Sequence, residues 1–223
     1  LPSEFRIDTR AGQNLMTVLC DIAAKHAPNL SEDAMIIKAA IENQHIDLDE
    51  FFSSVLNDRQ DPSVQIAEQL GINSKHLLMF GFLSIAPSLD ICQRQLSLYF
   101  EESFEFQKGY CPVCGSQPDI AILNEDGRRA LRCSLCHHQW KVRRTGCVYC
   151  ENKDPEKQQY FYSNEEKEYR VDICDNGRKY IKTIDLRQLN RLLNLDLEMV
   201  STLHLDMKAT TQGYISHAGD KFN

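Results

Sequence analysis

Cys111-Pro112-Val113-Cys114, Cys133-Ser134-Leu135-Cys136 and Cys147-Val148-Tyr149-Cys150, followed by a lone Cys174, decide how this chain is read. A Cys-x-x-Cys pair places two sulfurs on one tight turn, aimed at one point. Two such turns supply the four thiolates that Zn²⁺ or iron prefers in a tetrahedral site. The first two pairs are separated by 18 residues, within the range for a four-cysteine site. Closing the shortest loops puts Cys111, Cys114, Cys133 and Cys136 in a first site and leaves Cys147, Cys150 and Cys174 for a second. Interleaved pairing, with Cys111 and Cys114 joined to Cys147 and Cys150, is not excluded by the spacing.

Around the cysteines, short β-like runs alternate with polar turns. The pattern predicts strands at Asp119–Leu123, Arg129–Arg132, Gln139–Arg143, Gln158–Ser163, Tyr169–Ile173 and Tyr180–Asp185. Asn124-Glu125-Asp126-Gly127 is a hairpin signal between the first two, and Asn164-Glu165-Glu166 would turn a second hairpin. Each knuckle thus caps a hairpin, and the arrangement occurs twice in tandem, as in adjacent rubredoxin-like or zinc-ribbon modules. Such a domain is poor in apolar residues, and metal binding is expected to supply much of its folding free energy.

Upstream, residues 11–107 read as helical. Leu15, Val18, Leu19, Ile22 and Ala23 recur at helical spacing, as do Ile36, Ile37, Ala40 and Ile41, and then Leu48, Phe51, Phe52, Val55 and Leu56. A further helix is expected after Asn73 or Ser74, running through Leu77, Leu78 and Leu83 toward Pro87. The last, around Ile91, Leu96, Leu98 and Phe100, is expected to end near Gly109 as a C-cap. Cys20 and Cys92 fall in these patterns as small hydrophobes. A helical pattern returns from Leu186 through Leu189, Leu192, Leu195, Leu197, Val200, Leu203 and Met207, with a less ordered tail from Thr210. The fold class is α+β: a helical domain over 1–109, tandem metal-binding modules over 110–185, and a C-terminal helical segment over 186–223 that packs back.

Composition narrows the classes. The 223 residues carry a formal charge of −7 and nine cysteines. An odd number of cysteines in x-x pairs points to thiolate ligands in a reducing compartment rather than to a disulfide framework. No apolar run is read as approaching the roughly 18 residues of a membrane span, and Leu1–Phe5 lacks the order of a secretory signal. A soluble, intracellular protein is expected.

The motifs together resemble the FdhE family of formate dehydrogenase accessory proteins. The resemblance is carried by Cys111-Pro-Val-Cys-Gly-Ser116, Leu131-Arg-Cys-Ser-Leu-Cys136, Trp140-Lys-Val-Arg143, Cys147-x-x-Cys150-Glu151, Cys174 and Tyr180-Ile-Lys182. Downstream, Asp185, Thr202-Leu-His-Leu-Asp206 and Gly213-Tyr214 extend it. It implies two rubredoxin-like modules, iron as the metal with zinc as the alternative, and a chaperone-like rather than catalytic role. The implied partner is the catalytic subunit of a respiratory formate dehydrogenase, met in the cytoplasm. The chain departs from the family pattern where a fourth Cys-x-x-Cys is due and reads Cys174-Asp175-Asn176-Gly177. Asp175, His137 or His138 could complete that site, a solvent or partner ligand could fill it, or the metal could be lost.

Three other signals bear on function. Arg128, Arg129, Arg132, Lys141, Arg143 and Arg144 form a basic strip without an acid. It would either dock an acidic or phosphate-bearing partner or offset the charge of the metal thiolates. A zinc-ribbon module binding nucleic acid or protein is the alternative function, although a sequence pI near 5.5 and the lack of stacking aromatics other than Trp140 speak against nucleic acid. Trp140 is expected to pack between hairpin and helix. Dithiol catalysis is disfavoured because three knuckle-spaced pairs do not match a single Cys-x-x-Cys at a helix start. His26, His45, His76 and His204 have no neighbouring nucleophile pattern.

Overall fold

A computed structural model describes residues 8–57, 60–99, 106–162 and 166–216. The chain divides after Gln95 into two compact units, so the expected boundary at 109 falls inside the second unit.

The first unit is helical: α1 (Thr9–His26), α2 (Ser31–Glu42), α3 (Leu48–Leu56), α4 (Gln60–Leu70) and α5 (Ser74–Ser97), whose last residues enter the second unit. Asp8 and Asp47 cap α1 and α3 by accepting from the backbone N–H groups of Ala11 and Glu50. α3 buries Leu48, Phe51, Phe52, Val55 and Leu56, the apolar set expected of it. On α1 the buried stripe is instead Gly12, Met16, Cys20 and Ala23, while Val18 and Ile22 are exposed. Small and flexible side chains let α1 lie close on its neighbours, which turns the bulkier β-branched residues outward. Cys20 is buried, which pushes its thiol up to about 11, and Cys92 is half-buried.

Pro87 does not divide α5. Proline removes the bond to the carbonyl four residues back, here that of Leu83, and both residues are exposed, so water can serve the freed carbonyl. Phe100, expected in the last helix, lies outside the described residues, as do Leu1–Phe5, Ser163, Asn164 and Glu165. By length and composition α5 reaches what a membrane span requires, contrary to the expectation from the sequence. Its Leu77, Leu78, Phe80, Ile85 and Leu89 are buried.

The second unit holds β1 (Pro118–Leu123), β2 (Arg129–Cys133), β3 (Gln139–Val142), β4 (Gln158–Tyr162), β5 (Tyr169–Cys174), β6 (Lys179–Asp185), α6 (Leu195–Ser201), α7 (Leu203–Thr211) and β7 (Ile215–Ser216). The first six strands lie within a residue of the predicted runs at each described end. They form one seven-stranded sheet in the order β3-β2-β1-β6-β5-β4, with β7 also on β6. Neighbours along this order are antiparallel except that β1 pairs with β6 in parallel, Ile120 opposite Lys182 through Leu123 opposite Asp185, and the short β7 also runs parallel to β6. That seam fuses the two three-stranded halves. The turn between β1 and β2 closes through Asn124 N–H to Arg128 O and Gly127 N–H to Asn124 O, with Gly127 at φ +77°.

The fused sheet gives the unit more apolar core than its halves promise separately. Ile120, Tyr169, Val171, Ile173, Tyr180 and Ile184 pack with Leu205 and Ala209 of α7 and with Tyr214. Residues 186–194 are irregular, so the returning helix starts only at Leu195. Its buried face is Glu198, Thr202, Leu205 and Ala209, whereas Leu192, Leu197, Val200, Leu203 and Met207 are exposed. A polar triad causes this inversion: the Glu198 carboxylate accepts from Tyr169 Oη and, bidentately at 2.5 and 2.9 Å, from Arg191. The tail past Thr210 is also ordered, with Tyr214 buried and β7 paired, as far as Ser216.

The Arg191 hydrogen bonds hold the Glu198 carboxyl below its usual range, against its burial. Because the folded value is depressed, this stabilisation is present above the ordinary glutamate range and is lost as pH falls through the folded value. Glu198→Gln is therefore expected to lower stability near neutrality and to flatten the acid limb of a denaturant-midpoint-against-pH curve. An unchanged acid limb would show that Glu198 is not responsible for it.

Candidate metal centre

Four turns of one design punctuate the sheet. In three of them the first cysteine donates its backbone N–H to the carbonyl five residues on: Cys111 to Ser116 at 2.8 Å, Cys133 to His138 at 2.9 Å and Cys147 to Asn152 at 2.9 Å. In the fourth, Cys174 stands opposite Lys179, again five residues on, where β5 meets β6. The residue after the fourth position of each turn has positive φ: Gly115 +77°, His137 +59°, Glu151 +57° and Arg178 +50°. Three of these are not glycine, and a left-handed conformation costs such residues about 1–2 kcal/mol. The strain persists where the surrounding turn over-determines it.

The turns meet in pairs. Cys111, Cys114, Cys133 and Cys136 bring all four sulfurs within 4.8 Å of one another, every one buried. The Cys111–Cys136 and Cys114–Cys133 sulfurs are 3.5 and 3.4 Å apart. A tetrahedron with metal–sulfur bonds of about 2.3 Å has sulfur–sulfur edges of roughly 3.8 Å, so the cage needs little expansion to hold an ion. The amides of Val113, Leu135 and Cys136 donate to the sulfurs of Cys111 and Cys133 at 3.4 Å, which stabilises thiolate charge. Sulfur contacts from Cys111, Cys133 and Cys136 pull the Cys114 thiol down, and mutual contacts push Cys111 and Cys136 up. Four buried thiolates cannot share this cage without a cation, and the donor set fits Zn²⁺ or iron.

Cys147, Cys150 and Cys174 also converge within 4.8 Å, with 3.7 Å between the Cys150 and Cys174 sulfurs. Here Cys150 is exposed and Cys147 half-buried. Burial pushes Cys147 up to about 12. Cys150 is lowered despite some burial, by hydrogen bonds from the Asn152 backbone and the Asn176 side chain. The grouping within each cluster is consecutive, not interleaved. Among the described residues neither histidine nor aspartate joins the second cluster. Asp175 is engaged elsewhere: its Oδ1 accepts from Tyr214 Oη at 2.5 Å and pairs with Arg178 at 3.5 Å, and its Oδ2 accepts from Gln159 at 3.4 Å. His138 stacks on Trp140 beside the first cluster, with ring planes 4° apart. A cleft of about 330 Å³ opens beside Cys147 and Cys174, walled by Arg129, Arg144, Tyr160 and Arg170 among others.

The segment before the first knuckle ties the clusters together. Trp140 donates from Nε1 to the Lys108 carbonyl at 3.0 Å, so it is fastened to this segment. Lys108 pairs with Glu151 at 2.8 Å. Gly109 does not cap a helix: a Cβ there would fall 1.5 Å from the Val148 carbonyl oxygen of the third knuckle. Only glycine allows that approach, a role visible in the sequence only as an unexplained glycine two residues before Cys111.

The basic strip is not one surface. β2 is buried along its whole length, Arg129 and Arg132 included, and these pair with Asp172 at 3.1 Å and Asp119 at 3.1 Å, while Arg132 also pairs with Asp196. Arg128, Lys141, Arg143 and Arg144 are exposed.

A helical unit followed by a sheet with paired thiolate knuckles defines a thiolate-cluster protein of α+β class. Residues 110–144, which contain the whole first cluster, match the central domain of FdhE. The chain is 36% identical over 149 residues to a protein FdhE homolog of Aquifex aeolicus, covering 65% of this chain and 51% of that protein. It is 31% identical over 112 residues to protein FdhE of Escherichia coli O127:H6, covering 48% and 35% of the two chains. The chain thus spans about half the length, or less, of these curated relatives. The crystal structure of the FdhE protein from Pseudomonas aeruginosa superposes with a TM-score of 0.54 at 17% identity, covering 98% of this chain and 97% of that one. By its central domain and these relatives the chain is similar to the FdhE family.

Proposed function

We propose that this protein is a metal-binding accessory factor for formate dehydrogenase assembly, docking on the catalytic subunit in the cytoplasm and acting as a chaperone rather than as an enzyme. The observation that carries the reading is the buried four-sulfur cage of Cys111, Cys114, Cys133 and Cys136, lying inside the stretch that matches the FdhE central domain. In this reading each half of the sheet is a rubredoxin-like module. Cys147, Cys150 and Cys174 are the ligands of the second, and iron is the metal, with zinc as the alternative of equal geometry. The clusters and their ions would fix the orientation of the docking surface.

The nucleic-acid reading loses its main support, because two of the six basic residues of the strip are buried in ion pairs. Affinity purification of the tagged chain from formate-respiring cells tests the choice. Co-purification of the formate dehydrogenase catalytic subunit is expected. Failure to recover it, together with a salt-sensitive shift of random DNA or RNA, would replace this reading by the alternative. Elemental analysis of anaerobically purified protein identifies the metal: iron is expected with thiolate-to-iron absorbance, whereas a colourless sample containing zinc would remove redox chemistry from the proposal.

A further inference from the structure

We propose that the second cluster is a three-thiolate metal site whose fourth position, left open at Gly177, accepts a thiolate from outside the chain. The inference rests on the reading that the cysteine clusters hold metal.

Gly177 stands where the missing cysteine would be. Cys133-Ser-Leu-Cys136-His137 and Cys174-Asp-Asn-Gly177-Arg178 have the same spacing, the same closure five residues on and the same positive φ at the residue that follows. Gly177 itself is not in the left-handed region, so a side chain is sterically permitted by its backbone. A Cβ there would lie 3.3 Å from the Cβ and Sγ of Cys150, pointing into the cluster. That contact is tight by a few tenths of an ångström, and exposed Cys150 has room to give.

Nothing else among the described residues fills the corner. Both oxygens of Asp175 are engaged outside the cluster. Asn176 sends its amide toward the Cys150 sulfur at 3.6 Å as a donor, not as a ligand. The turn does not need a fourth metal bond to keep its shape, because the C-terminal segment holds it. Arg178 donates to the Gln212 carbonyl at 2.7 Å and accepts from the Ile215 N–H at 2.9 Å, and its guanidinium lies 4.1 Å over the Tyr214 ring. The open corner is therefore braced.

It is also accessible. The first cluster buries all four sulfurs, whereas at the second Cys150 and Asn176 are exposed. A metal ion on three protein ligands keeps a position for solvent or an incoming donor, the arrangement that distinguishes reactive from closed sites. Three thiolates make the ion soft, which selects another sulfur over oxygen or nitrogen. Water holds the position by default, and a thiolate displaces it.

The test is cobalt substitution of the full chain, titrated with 2-mercaptoethanol and followed by thiolate-to-cobalt absorbance and by cobalt per chain. Wild type is expected to carry two cobalt ions on seven thiolates. Its charge-transfer absorbance should rise by about one seventh as an eighth thiolate joins. Gly177→Cys should start at the higher absorbance, bind two cobalt ions and show no rise. Cys150→Ala should lose one ion and the response together. Absorbance that stays level or falls in wild type, or that rises equally in Gly177→Cys, overturns the proposal. One cobalt per chain in wild type, unchanged in Cys150→Ala, overturns it while leaving the first site intact. Absence of cobalt from both clusters sinks the underlying metal reading as well.

Discussion

Cys133→Ala is expected to cost the chain one metal ion and the fixed structure of its second unit, while the helical unit keeps its circular dichroism. The magnitude follows from two comparisons. A structural four-thiolate ion contributes on the order of 10 kcal/mol to folding, and an ordinary domain has only about 5–15 kcal/mol in total. Cys133 is fully buried, ends β2, and accepts amide hydrogen bonds from Leu135 and Cys136 at its sulfur. Its loss therefore leaves three crowded thiols and two unpaired amides in the core as well as an open cage. β2 is an inner strand, with β3 on one side and β1 on the other, and β1 carries the parallel seam to β6. The damage has no edge at which to stop. The single tryptophan, Trp140, lies on β3 and reports on this unit alone. Retained metal stoichiometry with unchanged Trp140 emission and thermal midpoint would refute the structural role of the ion. Cys174→Ala is the instructive comparison, because the C-terminal segment braces that turn independently, and a smaller loss of stability is expected there.

The same contrast separates what the sequence discloses from what it conceals. The strands were legible because alternation and turn chemistry are local. Asn124-Glu-Asp-Gly127 closes its hairpin where expected, and β1 to β6 begin and end within a residue of the predicted runs wherever those ends are described. The first cluster was legible because the spacing of Cys111, Cys114, Cys133 and Cys136 is itself a geometry. Long-range consequences were concealed. Nothing in residues 118–123 announces a parallel partner some sixty residues on, yet that pairing gives the two halves a common core. α4 is not singled out within the helical stretch because Gln60–Leu70 is weakly apolar; its Pro62 lies in the first turn, where proline is tolerated. The sequence divides α5 at Pro87 because it cannot show that Leu83 and Pro87 lie on an exposed face. In the C-terminal helices the apolar periodicity falls largely on the exposed face, because Glu198 and Thr202 are polar and Tyr169 and Arg191 make it favourable to bury Glu198. Hydrophobic periodicity locates a core face when burial is apolar; it misplaces one built around a satisfied carboxylate.

Asp206→Ala should be among the most destabilising substitutions outside the clusters, costing about 3–5 kcal/mol, because it strands a buried lysine. Lys182 lies on β6 beside the parallel seam and is only 4% exposed. Its ammonium donates to Asp206 Oδ2 at 2.6 Å and to the Met199 carbonyl at 3.0 Å, and Tyr180 donates to Asp206 Oδ1 at 2.9 Å. One carboxylate on α7 thus satisfies two groups of β6, and it sits between two residues that anchor the helix, Leu205 and Ala209. Removing the carboxylate leaves an ammonium with a single carbonyl partner and a phenol donor that has lost its acceptor. Removing both charges is a different experiment. Lys182→Met with Asp206→Leu keeps the volume and deletes the stranded charge, leaving only the Tyr180 hydroxyl to be satisfied, at a cost of about 1–3 kcal/mol. The double variant is therefore expected to be more stable than Asp206→Ala alone, an ordering that a simple count of lost contacts would reverse. Urea midpoints of the metal-loaded protein, read from Trp140 emission, measure it. If the double variant is the weaker of the two, the Lys182–Asp206 pair contributes net stability beyond neutralising itself, and α7 is held to the sheet by charge more than by its apolar face.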